Sequence, residues 1–460
     1  MASKLFVAVY LVPCLVLPLF SRLLLRVRLV GLLLLLAALH VPRLCLRGHI
    51  SRATRCLFQR GLAPLVPSTI ESLRKLHPPS SGHRCPSLPD AAPRIHVDGI
   101  VLSALVSRKV ANGSAPGPSG WTGELVKALV GDADCLAGLV TLVEDIVNGD
   151  LDESARKFLL SSSLIASEKD SGGYRPIAIG DVFYRLACHY VLHLVQPSAA
   201  ALLEPIQLAQ SHGGCERALH FLQATLECKS EDSAILSVDF SNAFNTLRRD
   251  VLLSRTFSES QLSPLWRLAH WAYRSSTDLL LVRSGEVVDT ILSAEGLRQG
   301  DPLSSILFCF TVLPVYRSTV ASAPDLRGIA IVDDFNISGP HASLLTAFDH
   351  LVAESPSYGL VLGRPKCLLF WPRASPVPES LSSGCSSRSL SLAKDGLRTL
   401  GALVSRDPAF ASKWYLDRVS ESHKTLFECL GSPLLPSHHA FVLLRSAVIP
   451  RFLSISCRSA

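Results

Sequence analysis

The sequence predicts a protein that contains both strands and helices, and two kinds of segment indicate this. Residues 234–240 and 326–338 are apolar runs with the length and pattern of buried strands. Residues 121–130, 135–147 and 181–195 instead repeat their apolar positions at the spacing of a helix. We therefore expect strands and helices within one globular unit.

Length and composition exclude several classes of protein. The chain has 460 residues, enough for two or three domains of ~150 residues each. Hydrophobic residues make up 48% and charged residues 18%, which excludes a mostly disordered chain. The 13 cysteines are odd in number and none has CxxC spacing, which argues against a disulfide scaffold or a zinc ribbon. Reduced thiols in an intracellular protein are expected.

The net charge is mildly positive. It is +7 at pH 7, from 45 Lys and Arg against 38 Asp and Glu. Such a balance fits a polyanionic partner such as nucleic acid.

The N-terminal part differs from the rest of the chain. Residues 5–20 and 29–41 are almost wholly apolar, and the first acidic residue is Glu71. This pattern is typical of a signal peptide, a membrane anchor or a matrix-targeting segment. The alternative is flanking sequence that the following domain does not need. We favour that alternative and expect residues 1–70 to be dispensable, with a membrane role for 5–41 left open.

A Pro- and Ser-rich stretch at 77–93 is predicted to be a linker, and a globular unit is predicted from residue 94 to about 405. Four further local expectations concern single segments. They are a loop at 113–120, a strand at 158–166, a Ser-rich surface loop at 374–392 and helices in 408–460.

Acidic residues follow the apolar part of both strand segments. Asp239 lies near the end of the first, and Asp333 and Asp334 would form the tip of a hairpin in the second. Because side chains alternate along a strand, at most one of the pair faces Asp239 squarely. Carboxylates in this arrangement suit Mg²⁺, and two ions ~3.5–4 Å apart would support phosphoryl transfer. The alternative for an isolated Asp-Asp pair is an ordinary turn.

A glycine-bracketed turn lies between the two strands. Gly296 and Gly300 flank it, and Pro302 then stands at a helix start, where its missing N–H is harmless. Such a turn lets the backbone approach a ligand, and Gln299 could hydrogen-bond a sugar or a base. The alternative is a loop that caps a core helix.

Together, SVDFSNAFN (237–245), GLRQGDPLSS (296–305) and IVDDFNISG (331–339) resemble the catalytic blocks of reverse transcriptases of non-long-terminal-repeat retrotransposons. The similarity covers about 110–455. Within the family, the sequence resembles the site-specific retrotransposons that trypanosomatids carry in spliced-leader genes. Further segments match the family's blocks in order: GPSGWTGELVKAL (117–129), GGYRPIAIGDVFYRL (172–186), YGLVLGRPKC (358–367) and LRTLGALVS (397–405).

The resemblance implies an α+β right-hand polymerase with fingers, a palm built on an antiparallel sheet, and a partial thumb. The domains expected from it follow the chain in order. They are an N-terminal segment of open role (1–76), the linker (77–93), the opening segment and fingers (94–230), the palm (231–405) and a partial helical thumb (406–460).

The resemblance also implies an RNA-directed DNA polymerase that transfers nucleotides to a primer 3′-OH with two Mg²⁺ ions, Mn²⁺ being an alternative. Its partners would be an RNA template, a DNA primer and deoxynucleoside triphosphates, and its location the nucleus. Blocks for an endonuclease or an RNase H are not found in the sequence, so a truncated copy is expected. A degenerate remnant that at most binds nucleic acid is the alternative function.

The family's motifs assign roles to the acidic residues and their neighbours. Asp239 and Asp333 would be the main metal ligands, with Asp334 close by and the carbonyl of Phe240 completing one metal's shell. Lys366 would be the general acid that protonates pyrophosphate; the alternative is a surface lysine after a turn.

The family's substrate-binding positions are also present. Lys169 and Arg175 would hold the triphosphate, unless they belong only to a solvated loop. Phe244 would block a ribose 2′-OH, with core packing as the alternative. Gln299 and Gly300 would shape the nucleotide and template pocket.

Three positions depart from the family's pattern. Ile331 and Val332 stand where an aromatic residue and often an alanine precede the first hairpin acid. Asn245 replaces a familiar acidic residue. The acids themselves are intact, so metal binding is expected to persist while nucleotide selection could change.

Overall fold

The fold is seen in a computed structural model. It describes residues 62–169, 172–227, 232–373, 375–430 and 436–449. The expectations for 5–20 and 29–41 fall outside these ranges. The chain divides into two compact units, and the described part of the larger one, 62–418, carries every residue discussed below. The described part of the other unit, from 419 onward, is helical.

The described part mixes helices and strands, as the sequence predicts. The strands are β1 (Ser162–Glu168), β2 (Tyr174–Gly180), β3 (Ser233–Val238), β4 (Thr277–Arg283), β5 (Glu286–Ser293), β6 (Arg327–Ile331), β7 (Asp334–Pro340), β8 (Leu368–Phe370), β9 (Ser391–Ala393), β10 (Leu397–Thr399) and β11 (Ala402–Val404). The first eight helices are α1 (Pro67–Leu76), α2 (Gly99–Lys109), α3 (Gly123–Leu129), α4 (Ala133–Asn148), α5 (Glu153–Leu160), α6 (Val182–Leu203), α7 (Gly214–Leu226) and α8 (Ala243–Thr246). The others are α9 (Arg249–Ser258), α10 (Ser263–Tyr273), α11 (Ser304–Ala321), α12 (His341–Glu354), α13 (Glu379–Arg388), α14 (Pro408–Leu430) and α15 (Ser437–Leu443).

The first sheet has the strand order β2-β1-β4-β5. β1 pairs with β2 antiparallel and with β4 parallel, and β4 pairs with β5 antiparallel. Helix α1 covers part of this sheet, because Leu73 is fully buried against Leu164 and Leu279. The chain just before α1 joins the sheet through a bridge between Leu62 and Ser167. Residues 62–76, which the sequence analysis set apart, thus pack on the domain.

The second sheet has the order β6-β7-β3-β8-β9, with β3 at its centre. β3 pairs antiparallel with β7, in a register that sets Val238 opposite Phe335. The end of β3 therefore lies beside the turn that joins β6 to β7. Helix α11 packs behind the sheet, where Tyr316 stacks on Phe335 with ring centroids 4.1 Å apart.

Among the residues that the structure describes, two helices, α6 and α11, are long and apolar enough to cross a membrane by length and composition alone. Both contribute to the main hydrophobic core; Leu186, Val191, Phe308 and Val312 are examples of their fully buried side chains. Core helices of this kind pass the same test as membrane spans.

The predicted helices at 121–130, 135–147 and 181–195 are confirmed as α3, α4 and α6. Two local expectations differ from the structure. Residues 158–160 end helix α5 instead of opening β1, because Asp152 caps that helix by accepting from the Ala155 N–H.

The Ser-rich stretch 374–392 contains helix α13. Leu381 and Cys385, one turn apart, are both buried in the core. Serine is a weak helix former, so its abundance concealed a helix that these two tertiary contacts stabilise.

Candidate active site

Asp239 follows β3 directly, and the segment before β8 holds its backbone. Its N–H donates to Cys367 Sγ at 3.3 Å, and its carbonyl accepts from the Gly363 N–H at 2.8 Å. A Cβ atom at Gly363 would lie 2.5 Å from Asp239 Oδ2, so a larger residue there would displace this carboxylate oxygen. That oxygen is buried and has no hydrogen-bond partner. A carboxylate oxygen left in this state is poised to accept a cation or a donor.

Asp333 lies in the tight turn between β6 and β7. Ile331 pairs with Asp334, so Val332 and Asp333 form a two-residue hairpin turn and Asp334 begins β7. The hairpin is as the sequence predicts, but only Asp333 of the two acids lies at its tip. Val332 has φ of 57°, a left-handed conformation that is strained for a β-branched residue. The turn therefore needs outside support.

Gln207, which the sequence analysis missed, supplies that support. Its side chain is fully buried, accepts from the Val332 N–H at 2.9 Å and donates to the Val332 carbonyl at 2.9 Å. The Tyr316 hydroxyl donates to the same carbonyl at 3.3 Å. Gln207 lies in an irregular segment after α6, so no sequence pattern marks it.

The pairing of β3 with β7 brings the three acids together, and burial and their charges shift their pKa values. Burial raises the pKa of Asp333, and the charge of Asp239 adds to the shift. Burial, followed by the charges of Asp333 and Asp239, raises the pKa of Asp334 to about 6. Burial also raises the pKa of Asp239. A cation placed among these carboxylates would relieve their repulsion.

The described residues do not by themselves form a complete metal cage. Within these ranges, no group of three or more His, Cys, Asp or Glu side chains is arranged to hold a metal ion. What the site does offer is Asp239 Oδ2, which accepts no hydrogen bond, and the mutual repulsion of three acids. These features fit a divalent cation whose remaining ligands come from a substrate or water.

Three basic residues surround the acids. Lys366 Nζ lies 3.9 Å from Asp239 Oδ2 and is largely exposed. Lys169 follows β1, and partial burial, then the charges of Lys366 and Arg175, lower its pKa while Asp239 opposes the shift. Arg175, at the start of β2, opposes the rise in the pKa of Asp333. The structure therefore places all three predicted cations around the predicted acids.

The glycine-bracketed turn lies between Phe244 and the first sheet. At Gly296, with φ of 65°, a Cβ atom would lie 2.3 Å from the Phe244 carbonyl. At Gly300, with φ of 109°, it would lie 2.4 Å from the Ala178 carbonyl. The Gln299 carbonyl accepts from the Ala178 N–H at 2.7 Å, and Gln299 Oε1 is buried without a partner. Both glycines are thus required, and the Gln299 side chain retains an acceptor for a ligand.

Phe244 is half-buried and stacks on Phe308, with ring centroids 4.8 Å apart. This contact is compatible with a ring at the edge of a pocket and with core packing, so both interpretations stand. The side chain of Phe240 is buried, its backbone bridges to Leu362, and its ring stacks near Tyr316.

A buried polar network fixes the glycine-bracketed turn, and sequence reasoning missed it. Arg298 Nη2 donates to Asp301 Oδ2 at 2.7 Å, and both side chains are 2% exposed. The hydroxyls of Tyr184 and Tyr273 donate to the same oxygen at 2.8 and 2.6 Å. Arg298 also donates to the Leu160 carbonyl at 2.9 Å. Helices α5, α6 and α10 therefore meet at this turn.

Comparison with known proteins gives the class. A family model described as reverse transcriptase (RNA-dependent DNA polymerase) matches residues 167–403, just over half of the chain. The chain belongs to the reverse transcriptase family, an enzyme class whose members are RNA-directed DNA polymerases.

The chain is also similar to one particular retrotransposon protein. Over 250 residues, 54% of this chain, the sequence is 28% identical to the Retrotransposable element SLACS 132 kDa protein of Trypanosoma brucei gambiense. The matched part is 21% of that protein's length. The resemblance to reverse transcriptases of non-long-terminal-repeat retrotransposons is confirmed. The roles of individual site residues stay predictions.

Proposed function

We propose that this chain extends a DNA primer along an RNA template, as the polymerase of a retrotransposon. One observation carries the proposal. β3 pairs with β7, which sets Asp239 at the end of β3 beside the β6–β7 turn that carries Asp333, although the two acids lie far apart in the sequence. Two-metal phosphoryl transfer requires such a pair of carboxylates on neighbouring elements.

The residues present fit a pair of Mg²⁺ ions, or Mn²⁺ in their place. Asp239 and Asp333 would be the main ligands, with Asp334 close by and the Phe240 carbonyl as a further oxygen. When bound, the ions activate the attacking 3′-oxygen and stabilise the leaving oxygen. Triphosphate oxygens and water would complete their coordination.

The basic residues act on the triphosphate. Lys169 and Arg175 bind and orient its phosphates from the β1–β2 hairpin, where the charge of Lys169 interacts with Asp239 and that of Arg175 with Asp333. Lys366 Nζ, beside Asp239, gives its proton to the departing pyrophosphate. On the other side, Phe244 and the buried acceptor of Gln299 would border the sugar and base.

Nucleic acid is the proposed partner. A cleft of about 340 Å³ beside Pro302 is lined by the cationic side chains of Arg108 and Lys109 and by the imidazoles of His189 and His193. None of the described residues that line it is acidic. Positive charge without carboxylates suits the phosphates of a strand that passes the site. In the right-hand arrangement, the second sheet would belong to the palm, and β1 and β2 of the first sheet to the fingers.

A primer-extension assay with the purified full chain tests the proposal. With an RNA template, deoxynucleotides and Mg²⁺, we expect primer extension, and a chelator should abolish it. Extension that persists after metal removal, or a folded chain that extends no primer on RNA or DNA templates, would contradict the proposal.

A further inference from the structure

Residues 62–85, called here the N-terminal arm, dock on the first sheet. Ala63 donates its N–H to the Ala166 carbonyl at 3.0 Å, and Leu73 is fully buried. Thr69 Oγ1 lies 3.4 Å from the Tyr174 hydroxyl, and Arg74 pairs with Asp289 at 2.7 Å. The arm thus has its own anchorage on the domain.

From this anchorage the arm reaches the turn after Asp239. Asn242 Nδ2 donates to the carbonyl of Leu76, the last residue of α1, at 2.7 Å. Asn242 has φ of 54°, a left-handed conformation that asparagine tolerates better than most residues. Its Oδ1 also accepts from Asn245 Nδ2 at 2.8 Å. The bond from Asn242 to Leu76 thus ties the arm to the segment between Asp239 and Phe244.

A second link reaches the glycine-bracketed turn. The N–H and hydroxyl of Ser81 both donate to Glu295 Oε1, at 2.8 and 2.6 Å. The other carboxylate oxygen of Glu295 accepts from the Arg249 N–H at 3.2 Å. Glu295 directly precedes Gly296, so the arm also holds the start of this turn.

The two links meet on the candidate nucleotide pocket. The Leu297 N–H donates to the Phe244 carbonyl at 2.6 Å, which joins the turn held through Glu295 to the turn held through Asn242. We propose that the N-terminal arm is a positioning element of the active site: it sets Phe244 and Gln299 around the incoming nucleotide. The expected effect of the arm on nucleotide kinetics rests on the proposed function. Its expected effect on the order of the two turns does not.

The structural consequence can be measured without catalysis. Asn242→Gly removes the bond to Leu76 and keeps the left-handed conformation accessible. Asn242→Asp also lacks the donor but retains an acceptor for Asn245. Both variants should raise amide hydrogen exchange in 240–247 and 295–300 by about 2- to 10-fold, the free-energy scale of one hydrogen bond. Exchange at wild-type rates in these segments would overturn the inference.

A matched control lies on the arm itself. Arg74→Ala breaks the exposed ion pair with Asp289 but touches neither link, so exchange in 240–247 and 295–300 should be unchanged. If it rises as much as in the Asn242 variants, the arm acts only through general stability, and the positioning role is refuted.

The kinetic consequence separates positioning from stability. In Asn242→Gly, the KM for deoxynucleotides should rise by about 2- to 10-fold and the preference over ribonucleotides should fall, with kcat changed less. Equal loss of every parameter with a lowered Tm would refute positioning. If the folded wild-type chain extends no primer, the proposed function fails, whereas hydrogen exchange still decides whether the arm holds the two turns.

Discussion

Substituting Asp301 with alanine should destabilise the protein far more than substituting Asp289, although each carboxylate pairs with an arginine at 2.7 Å. The difference is burial. The side chains of Arg298 and Asp301 are each 2% exposed, whereas those of Arg74 and Asp289 are 50% and 30% exposed. Water screens the second pair and is excluded from the first.

The magnitudes follow from this contrast. Asp301→Ala leaves the Arg298 guanidinium buried without its counter-charge, which typically costs ~3–5 kcal/mol. It also removes the acceptor for the Tyr184 and Tyr273 hydroxyls. Asp289→Ala should cost no more than ~1 kcal/mol. Replacing both members of the buried pair with apolar residues of similar size should cost less than Asp301→Ala alone, because no charge is then left unpaired.

The assay is urea-induced unfolding of the full chain followed by tryptophan fluorescence. The midpoint should fall strongly for Asp301→Ala and barely for Asp289→Ala, each compared with the wild type. Similar shifts for the two variants, or a loss below ~1 kcal/mol for Asp301→Ala, would refute the claim that this buried network stabilises the glycine-bracketed turn.

Three other perturbations test separate parts of the site. Phe244→Val should admit ribonucleotides in primer extension, and an equal loss for both sugars with a lowered Tm would identify a packing residue instead. Replacing Arg108 and Lys109 with alanine should weaken the binding of single-stranded RNA. The slope of log affinity against log salt concentration should fall by roughly 0.7 per lost phosphate contact, and an unchanged slope would show that the cleft does not bind the strand. Burial, then Lys109 and Arg185, lowers the pKa of His189 to about 4, below its usual 6.5, so the unfolded chain binds the proton more tightly. The stability contributed by neutral His189 should therefore be lost as the pH falls from about 6.5 to about 4, and His189→Gln should flatten this part of a stability–pH curve.

Local patterns in the sequence predicted the acidic centre. The apolar run before Asp239 and the hairpin around Asp333 are visible as alternation and turn signals, because a strand and a two-residue turn are specified by neighbouring residues. The glycines flanking Gln299 were recognisable for the same reason: they occupy left-handed backbone positions in one short turn.

The supports of the centre could not be predicted in this way. Gln207 reaches Val332 across 125 positions, and Tyr184 reaches Asp301 across 117, so only the folded chain brings these partners together. Composition predicted a linker for the Pro- and Ser-rich part of the N-terminal arm, and it could not reveal the hydrogen bonds that Ser81 of this part makes to Glu295. Polar contacts over such distances leave no periodic signal.

Primer extension by Asp333→Asn tests the central claim most directly. The variant keeps the shape of the side chain and loses the charge that a divalent cation requires. The matched control is Asp325→Asn, an exposed acid just before β6 in the same hairpin region. On an RNA template with Mg²⁺, the account predicts extension by the wild type and by the control, and none by Asp333→Asn, with all three proteins folded by circular dichroism. Undiminished extension by Asp333→Asn would contradict it.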